Sequence, residues 1–309
     1  MKTLVTRLSA SVLTAALAIL FAMAMPAEAH VGPNDKIIVS GASGQLGTLA
    51  VEELLARGVP AKQLILVSRT PEKLEKYAAM GASTRFGDFS KPESLPAAYA
   101  GGTRMLLISI GGGAGPRPEA HKRAIDAAKA AGVKHIAYTS WVAISNGDTS
   151  GLGTDHAATE EILKQSGVTW TFLRNSIYME NTLQQAMKML AEGRATVPAN
   201  EIRIGYVTRR DCAAAAAAVL TTHGHENKAY DITGSELIGV REIADAVQAV
   251  TGKTIEISTA DPSAPPPRGF VTPAVAIASD HVAQLLRRPP TSLKEFFTAN
   301  KDKLLSAGT

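Results

Sequence analysis

Short apolar runs alternate with amphipathic stretches along the first half of the chain. Lys36–Ser40, Leu64–Ser68, Ser83–Phe86, Met105–Ile110, Lys134–Thr139 and Thr169–Leu173 are predicted to be strands. Runs this continuously apolar suit a parallel sheet buried on both faces. The stretches between them carry helical spacing. Pro118–Ala131 is the clearest case, because Pro118 is tolerated in a first turn and Ala124, Ile125, Ala128 and Ala131 then fall on one face. Gly81, Gly132 and Gly167 stand where helices should end, each suited to the left-handed residue that follows a helix. The pattern predicts an α/β fold with a doubly wound parallel sheet.

Beyond Leu173 the alternation loosens. A loop and helix are expected over Asn175–Gly193, a helix over Asp211–Thr222 capped by Asp211, and another over Val240–Thr251. Short strands at Ile202–Tyr206, Lys228–Ile232 and Thr254–Ile257 fit between them. Asp261–Arg268, with four prolines, reads as a loop. The organisation expected is a segment over 1–29 that is removed, a core over 30–174, and a smaller α/β substrate-capping region over 175–309 interleaved with that core.

Lys36-Ile-Ile-Val-Ser-Gly41-Ala-Ser-Gly44-Gln-Leu-Gly47 is the most informative stretch, an apolar strand running into a glycine-punctuated turn and a helix from Gln45 to Arg57. Gly41 can take the tight turn, Gly44 lets a pyrophosphate approach the backbone, and Gly47 lets the helix lie close to the sheet. Ala42, Ser43, Gln45 and Leu46 complete the loop around that anion, facing the positive end of the helix. With a second apolar run within one strand–helix–strand unit, the motif predicts a Rossmann dinucleotide site. After the second strand, Val67-Ser-Arg69-Thr-Pro-Glu-Lys73 offers a guanidinium and an ammonium where an NAD site usually holds a carboxylate, so NADP(H) is expected over NAD(H). Ligands in such sheets sit beyond the carboxyl ends of the strands. Asp88 and Phe89 after the third strand are therefore expected at the adenine, and Ser109 and the glycines to Gly113 at ribose and phosphate. Thr139 after the fifth strand is expected to touch the same ligand.

A reductase of simple ketones would need a Tyr-x-x-x-Lys pair to relay a proton, and no tyrosine here has a lysine four residues on. That region instead offers His156 and Glu160, one helical turn apart, so His156 is expected to act as an acid with its pKa raised by the carboxylate. Hydride transfer to a quinone leaves a phenolate-like anion that water can protonate, so quinone reduction tolerates the missing pair, as does cofactor binding without turnover.

Lys2 and Arg7, an apolar run from Leu8 to Met25, and Pro26-Ala-Glu-Ala29 read as a Sec-type signal peptide cleaved after Ala29, which places the protein in the periplasm. The rival readings are a cytoplasmic protein with a later start and a membrane tether, and no twin arginine is present. After cleavage no membrane span remains. The formal net charge of +4 and 5% aromatic content leave no footprint for nucleic acid. A single cysteine, Cys212, excludes an intramolecular disulfide and any multi-thiolate metal site, and no His-Glu-x-x-His pattern occurs. A homodimer is compatible with the chain, though no motif fixes the oligomeric state.

Taken together in order, Gly41–Gly47, Arg69–Lys73, His121 with Ala124–Ser140, Asp155–Glu160, Leu173–Asn181 and Thr208–Ala217 carry a family resemblance. From about Lys36 to Lys253 the chain resembles the NmrA-like atypical short-chain dehydrogenases, and most closely the type 2 bacterial NAD(P)H:quinone oxidoreductases. The resemblance implies a Rossmann domain that binds NADPH and passes hydride to a quinone or similar electrophilic carbonyl compound. It also implies that the loop bearing Asn175, Tyr178 and Asn181 lies beside nicotinamide and quinone. Tyr178 would offer an aromatic face and a hydroxyl to a flat acceptor, and Asn175 an amide to a carbonyl oxygen. The competing class is a non-catalytic NAD(P)-binding redox sensor. Two features depart from the family: the short proline-rich Asp261–Arg268 stands where a longer helical insertion is usual, and members are usually cytosolic.

Overall fold

The computed structural model describes residues 31–111, 115–263 and 272–306. The expected signal peptide, Gly112 and Gly113, and most of the proline-rich segment lie outside the described residues. In chain order the elements of the first half are β1 (Ile37–Ser40), α1 (Gln45–Ala56), β2 (Leu64–Ser68), α2 (Glu75–Ala79) and β3 (Ser83–Phe86). They continue as α3 (Leu95–Tyr99), β4 (Arg104–Leu107), α4 (Arg117–Ala130), β5 (His135–Trp141), α5 (Leu152–Gln165) and β6 (Thr169–Asn175). The second half holds α6 (Thr182–Glu192), β7 (Arg194–Val197), α7 (Arg209–Thr221), β8 (Lys228–Ile232), α8 (Val240–Thr251) and β9 (Glu256–Thr259). The helices α9 (His281–Leu286), α10 (Leu293–Ala299) and α11 (Lys301–Ser306) follow.

Seven strands form one parallel sheet in the order β3-β2-β1-β4-β5-β6-β8. The chain winds outward in one direction through β2 and β3, then returns to β4 on the other side of β1. The connections leaving β1 and β4 therefore diverge and open a crevice at the carboxyl ends of those two strands. One face of the sheet buries Ile37, Val39, Leu106, Ala137 and Leu173 against α1 and α7. The other buries Ile38, Met105, Leu107, Tyr138 and Phe172 against α3, α4 and α5. The period of two along each strand fixes this division. Residues Ala213 to Leu220 of α7 are all buried, because small side chains let α7 lie close to α1.

A third apolar cluster joins α6, α8, α10 and α11 around Met189, Ile243, Val247, Phe296, Phe297 and Leu304, beside a two-stranded parallel sheet of β7 and β9. The three terminal helices and β7 were not expected, since short elements packed on a mixed cluster leave no long period in the sequence. Ile202–Tyr206 is not a strand. Only Ile204 pairs, in an isolated bridge to Ile238. Nor does Asp211 cap α7. Thr208 is the N-cap, its hydroxyl accepting from Asp211 N at 3.0 Å. Asp211, fully buried, instead accepts from Arg288 at 2.8 Å and from Thr291 N at 2.9 Å, fastening the tail to the core.

Candidate dinucleotide site

At the crevice between β1 and β4 lies a cleft of about 560 Å³. Its lining includes Gly41, Ser43 and Gly44 from the β1–α1 turn, Arg69 and Lys73 after β2, Asp88 and Phe89 after β3, and Ser109 after β4. With Gly111, which also lines it, nine of the residues expected from sequence thus meet in one place. Gly41 holds a φ of +93°, a conformation that favours glycine. Gly47 serves packing: a Cβ there would lie 2.2 Å from Gly41 O and 2.8 Å from Ala42 Cα, so the helix could not approach the turn. No side chain caps α1, so no capping group competes with an anion for the amides of its first turn. Ala42, Leu46 and Gly47 are buried beneath the loop and Gln45 is exposed beside it, so none of these four lines the cleft.

The end of β2 carries more than the two cations. Ser43 Oγ lies 2.5 Å from Ser68 Oγ, and Thr70 Oγ1 lies 3.3 Å from Ser68 Oγ, with Thr70 N donating to Ser68 Oγ at 2.9 Å. Ser68 and Thr70 line the cleft with Arg69 and Lys73, giving a cluster of hydroxyl donors and positive charge suited to a phosphate. Sequence reading missed both hydroxyls, although their place beside Arg69 at a strand end was the available signal. Asp88 also lines the cleft, with its Oδ1 accepting from Ser90 N and Oγ at 2.9 and 2.8 Å. Partial burial works to raise its pKa, but the Ser90 donors and the charges of Arg69 and Lys91 bring it below the usual carboxylate value.

Thr139 does not line the cleft. It is buried behind the wall, where its Oγ1 accepts from Ser109 N at 2.8 Å and donates to Ser109 Oγ at 3.2 Å, so it holds Ser109 in place. His156 departs further from expectation. It is buried on α5 with Nδ1 2.8 Å from the Tyr138 hydroxyl, away from the cleft lining. Burial, then the charges of Arg117 and His121, push its pKa down to about 3, the opposite of the rise expected from Glu160. Glu160 has other partners: Arg174 reaches it with two nitrogens at 3.0 and 2.7 Å, and Ser140 Oγ donates at 2.6 Å. The neutral imidazole is therefore no acid near neutral pH.

Asn175 and Tyr178 stand together at the carboxyl end of β6, two strands beyond β4, and neither lines the cleft around the glycine turn. By the alternation of β6, Asn175 shares the sheet face of Leu173, the face on which α1 lies. The Arg209 guanidinium lies 4.5 Å over the Tyr178 ring and is tied to Glu180 at 3.5 Å. Burial and the neighbouring Cys212 push the Tyr178 pKa up, against the opposing pull of Asn175 and Arg209, so the hydroxyl stays protonated. Asn175 Oδ1 and Ser176 Oγ are buried without a hydrogen-bond partner among the described residues. Orphaned polar atoms are costly inside a protein and mark where a polar ligand group fits. From β1 to β6 the strand ends span three inter-strand steps, roughly 14 Å. An extended dinucleotide can run from the hydroxyl and cation cluster, past the uncapped helix end, to these atoms, so the residues present fit such a ligand.

Comparison with known proteins agrees with this geometry. Residues 41–223 match a family model described as NAD(P)H-binding. The chain is 39% identical over 221 residues to quinone oxidoreductase 2 of Escherichia coli K12, covering 71% of this chain and 76% of that protein. It is 30% identical over 223 residues to the NAD(P)H azoreductase of Xenophilus azovorans, covering 71% and 75%. Among solved structures, Citrobacter sp. triphenylmethane reductase complexed with NADP(H) superposes with a TM-score of 0.74 at 33% identity, covering 86% of this chain and 99% of that one. The E. coli NADPH-dependent quinone oxidoreductase QOR2 complexed with NADPH gives 0.75 at 32%, with the same coverage. The glycine turn, the parallel sheet that presents it and these matches agree: the chain belongs to the NmrA-like NAD(P)H-binding family.

Proposed function

We propose that this protein is an NADPH-dependent oxidoreductase that reduces a quinone or a similar electrophilic carbonyl compound. Relatives named for quinone and azo-compound reduction support an oxidoreductase. The hydroxyl and cation cluster after β2 supports NADPH over NADH, because Arg69 and Lys73 take the place of the ribose-binding carboxylate. The observation that carries the choice of acceptor is the make-up of the site beyond β6: Tyr178 stands there beside Asn175, His156 lies on α5 away from the cleft, and no lysine follows Tyr138 or Tyr178 by four residues. Burial pushes the Tyr178 pKa up, so its hydroxyl stays protonated near neutral pH. Such a site gives no strong acid to an alkoxide, but it suits an acceptor whose product anion is stabilised by its own ring.

When bound, NADPH supplies the hydride. The chain's own contribution is orientation. The turn over Gly41–Gly47 and the cluster at Arg69 hold the phosphates, and Asn175 and Tyr178 offer hydrogen bonds to polar groups at the far end. Tyr178 acts as a neutral donor, with its ring fixed by Arg209.

The test follows NADPH absorbance with a soluble benzoquinone as acceptor. Rapid oxidation is expected, with turnover at saturation varying by less than about threefold between roughly pH 6.5 and 8.5, since Tyr178 does not titrate there. Saturable NADPH binding without turnover of any quinone would contradict the reading and favour a sensor.

A further inference from the structure

The turn between β4 and α4 forms one wall of the cleft through Ile108, Ser109, Ile110 and Gly111. Three backbone groups of that wall are held from behind. Ser109 N donates to Thr139 Oγ1 at 2.8 Å, Ile110 O accepts from Arg117 Nε at 2.7 Å, and Ile110 N donates to His121 Nε2 at 3.2 Å. Of the three, the last depends on which nitrogen of a titratable ring carries a proton. Because Nε2 accepts, the ring proton sits on Nδ1, 3.0 Å from Thr159 Oγ1, whose own proton goes to Asp155 O at 2.8 Å. The imidazole is 1% exposed and also meets the Phe89 ring edge-on, with centroids 6.2 Å apart. Phe89 lines the cleft from the β3 side. One buried ring thus backs two walls of the cleft without lining it.

We propose that His121 is a positioning residue for the dinucleotide: as a neutral Nδ1–H ring it fixes the Ile110 peptide and backs Phe89, and its protonation or removal loosens both walls. The assignment rests on reading the cleft as the NADPH site. The groups facing the ring are Arg117 on α4, itself paired with Asp155 of α5 at 3.7 Å, the Tyr138 hydroxyl on β5 at 3.5 Å from Nδ1, and His156 on α5. Burial, then the charge of Arg117, push the His121 pKa down to about 4, so the ring is neutral under ordinary conditions. Below that value Nε2 carries a proton and faces the Ile110 N–H donor to donor, which abolishes the bond.

The experiment titrates the purified chain with NADPH by fluorescence at a series of pH values, for the wild type, His121→Gln and His121→Leu. Thermal melting at each pH keeps the readings to folded protein, and amide exchange at Ile110 is followed by NMR. Near pH 7.5, His121→Gln should bind within about threefold of wild type, since its Oε1 can accept in place of Nε2, whereas His121→Leu should bind roughly tenfold more weakly with faster Ile110 exchange. From about pH 5.5 down to about pH 4, the wild type should lose at least about twofold in affinity relative to His121→Gln, because the other groups that titrate there are common to both proteins and only at position 121 does one of them take up a proton that the other cannot. If His121→Leu fails to fold, that pH ratio decides alone. A flat ratio, or a leucine variant matching wild type in affinity and exchange, overturns the role of His121 and leaves the cleft assignment standing. Failure of the wild type to bind NADPH at any pH overturns both.

Discussion

Arg69→Ala is expected to weaken NADPH binding by roughly tenfold or more while changing NADH affinity by less than about threefold. The guanidinium lines the cleft beside Ser43, Ser68, Thr70 and Lys73. A hydrogen bond to a charged group contributes about 1.5–3 kcal/mol, which spans one to two decades in affinity. Arg69 is exposed, so solvent screening places the effect toward the lower end of that range. The selectivity is the informative part. NADH lacks the 2′-phosphate and should barely register the loss. Parallel titrations of both coenzymes against wild type and variant give the four affinities needed, and equal losses for the two would remove Arg69 from phosphate recognition.

Two glycines three residues apart should fail in different ways. A Cβ on Gly47 would stand 2.2 Å from Gly41 O and 2.8 Å from Ala42 Cα. Both obstacles are backbone, and the peptide at Gly41 is itself fixed by its N–H to Val67 O at 3.0 Å. Neither can yield without moving the turn away from the sheet. Gly47→Ala should therefore cost stability on the order of 3 kcal/mol and take nucleotide binding with it. Gly44 has an ordinary φ of −76°, and its Cβ would meet only Gly41 O, at 3.3 Å. It lines the cleft, so Gly44→Val should lose far less stability than Gly47→Ala yet lose NADPH affinity by about tenfold or more, the side chain standing where the phosphates approach. Denaturant midpoints measured beside the titrations separate the two effects. Equal melting of Gly47→Ala and wild type would contradict the packing account.

The contrast between what the chain discloses and what it conceals has a physical cause. The placement of Gly41, Gly44, Gly47 and Arg69 was legible because it is local: a strand end, a turn and a helix start determine where the backbone goes. The strands from Ile37 to Asn175 were legible for the same reason, each apolar run being complete in itself. His156 was misread because its surroundings come from elsewhere in the chain. Its neighbour at one helical turn, Glu160, is claimed by Arg174 from β6, and the imidazole is left with Tyr138 from β5. Spacing along a helix cannot report which partner a third element supplies. Thr139 faces the correct strand end yet sits one layer behind Ser109, a depth that no one-dimensional pattern records. The terminal helices escaped because Phe296, Phe297 and Leu304 gain meaning only when Met189 and Val247 are placed against them.

The central claim is that a phosphorylated dinucleotide lies across the glycine turn with its 2′-phosphate at Arg69. It is tested most directly by titrating the purified wild-type protein with NADPH and with NADH under one set of conditions. The account predicts saturable binding of NADPH with NADH weaker by roughly tenfold or more. Failure of both coenzymes to bind at concentrations of about 1 mM, weaker than roughly 4 kcal/mol of binding free energy, would contradict it.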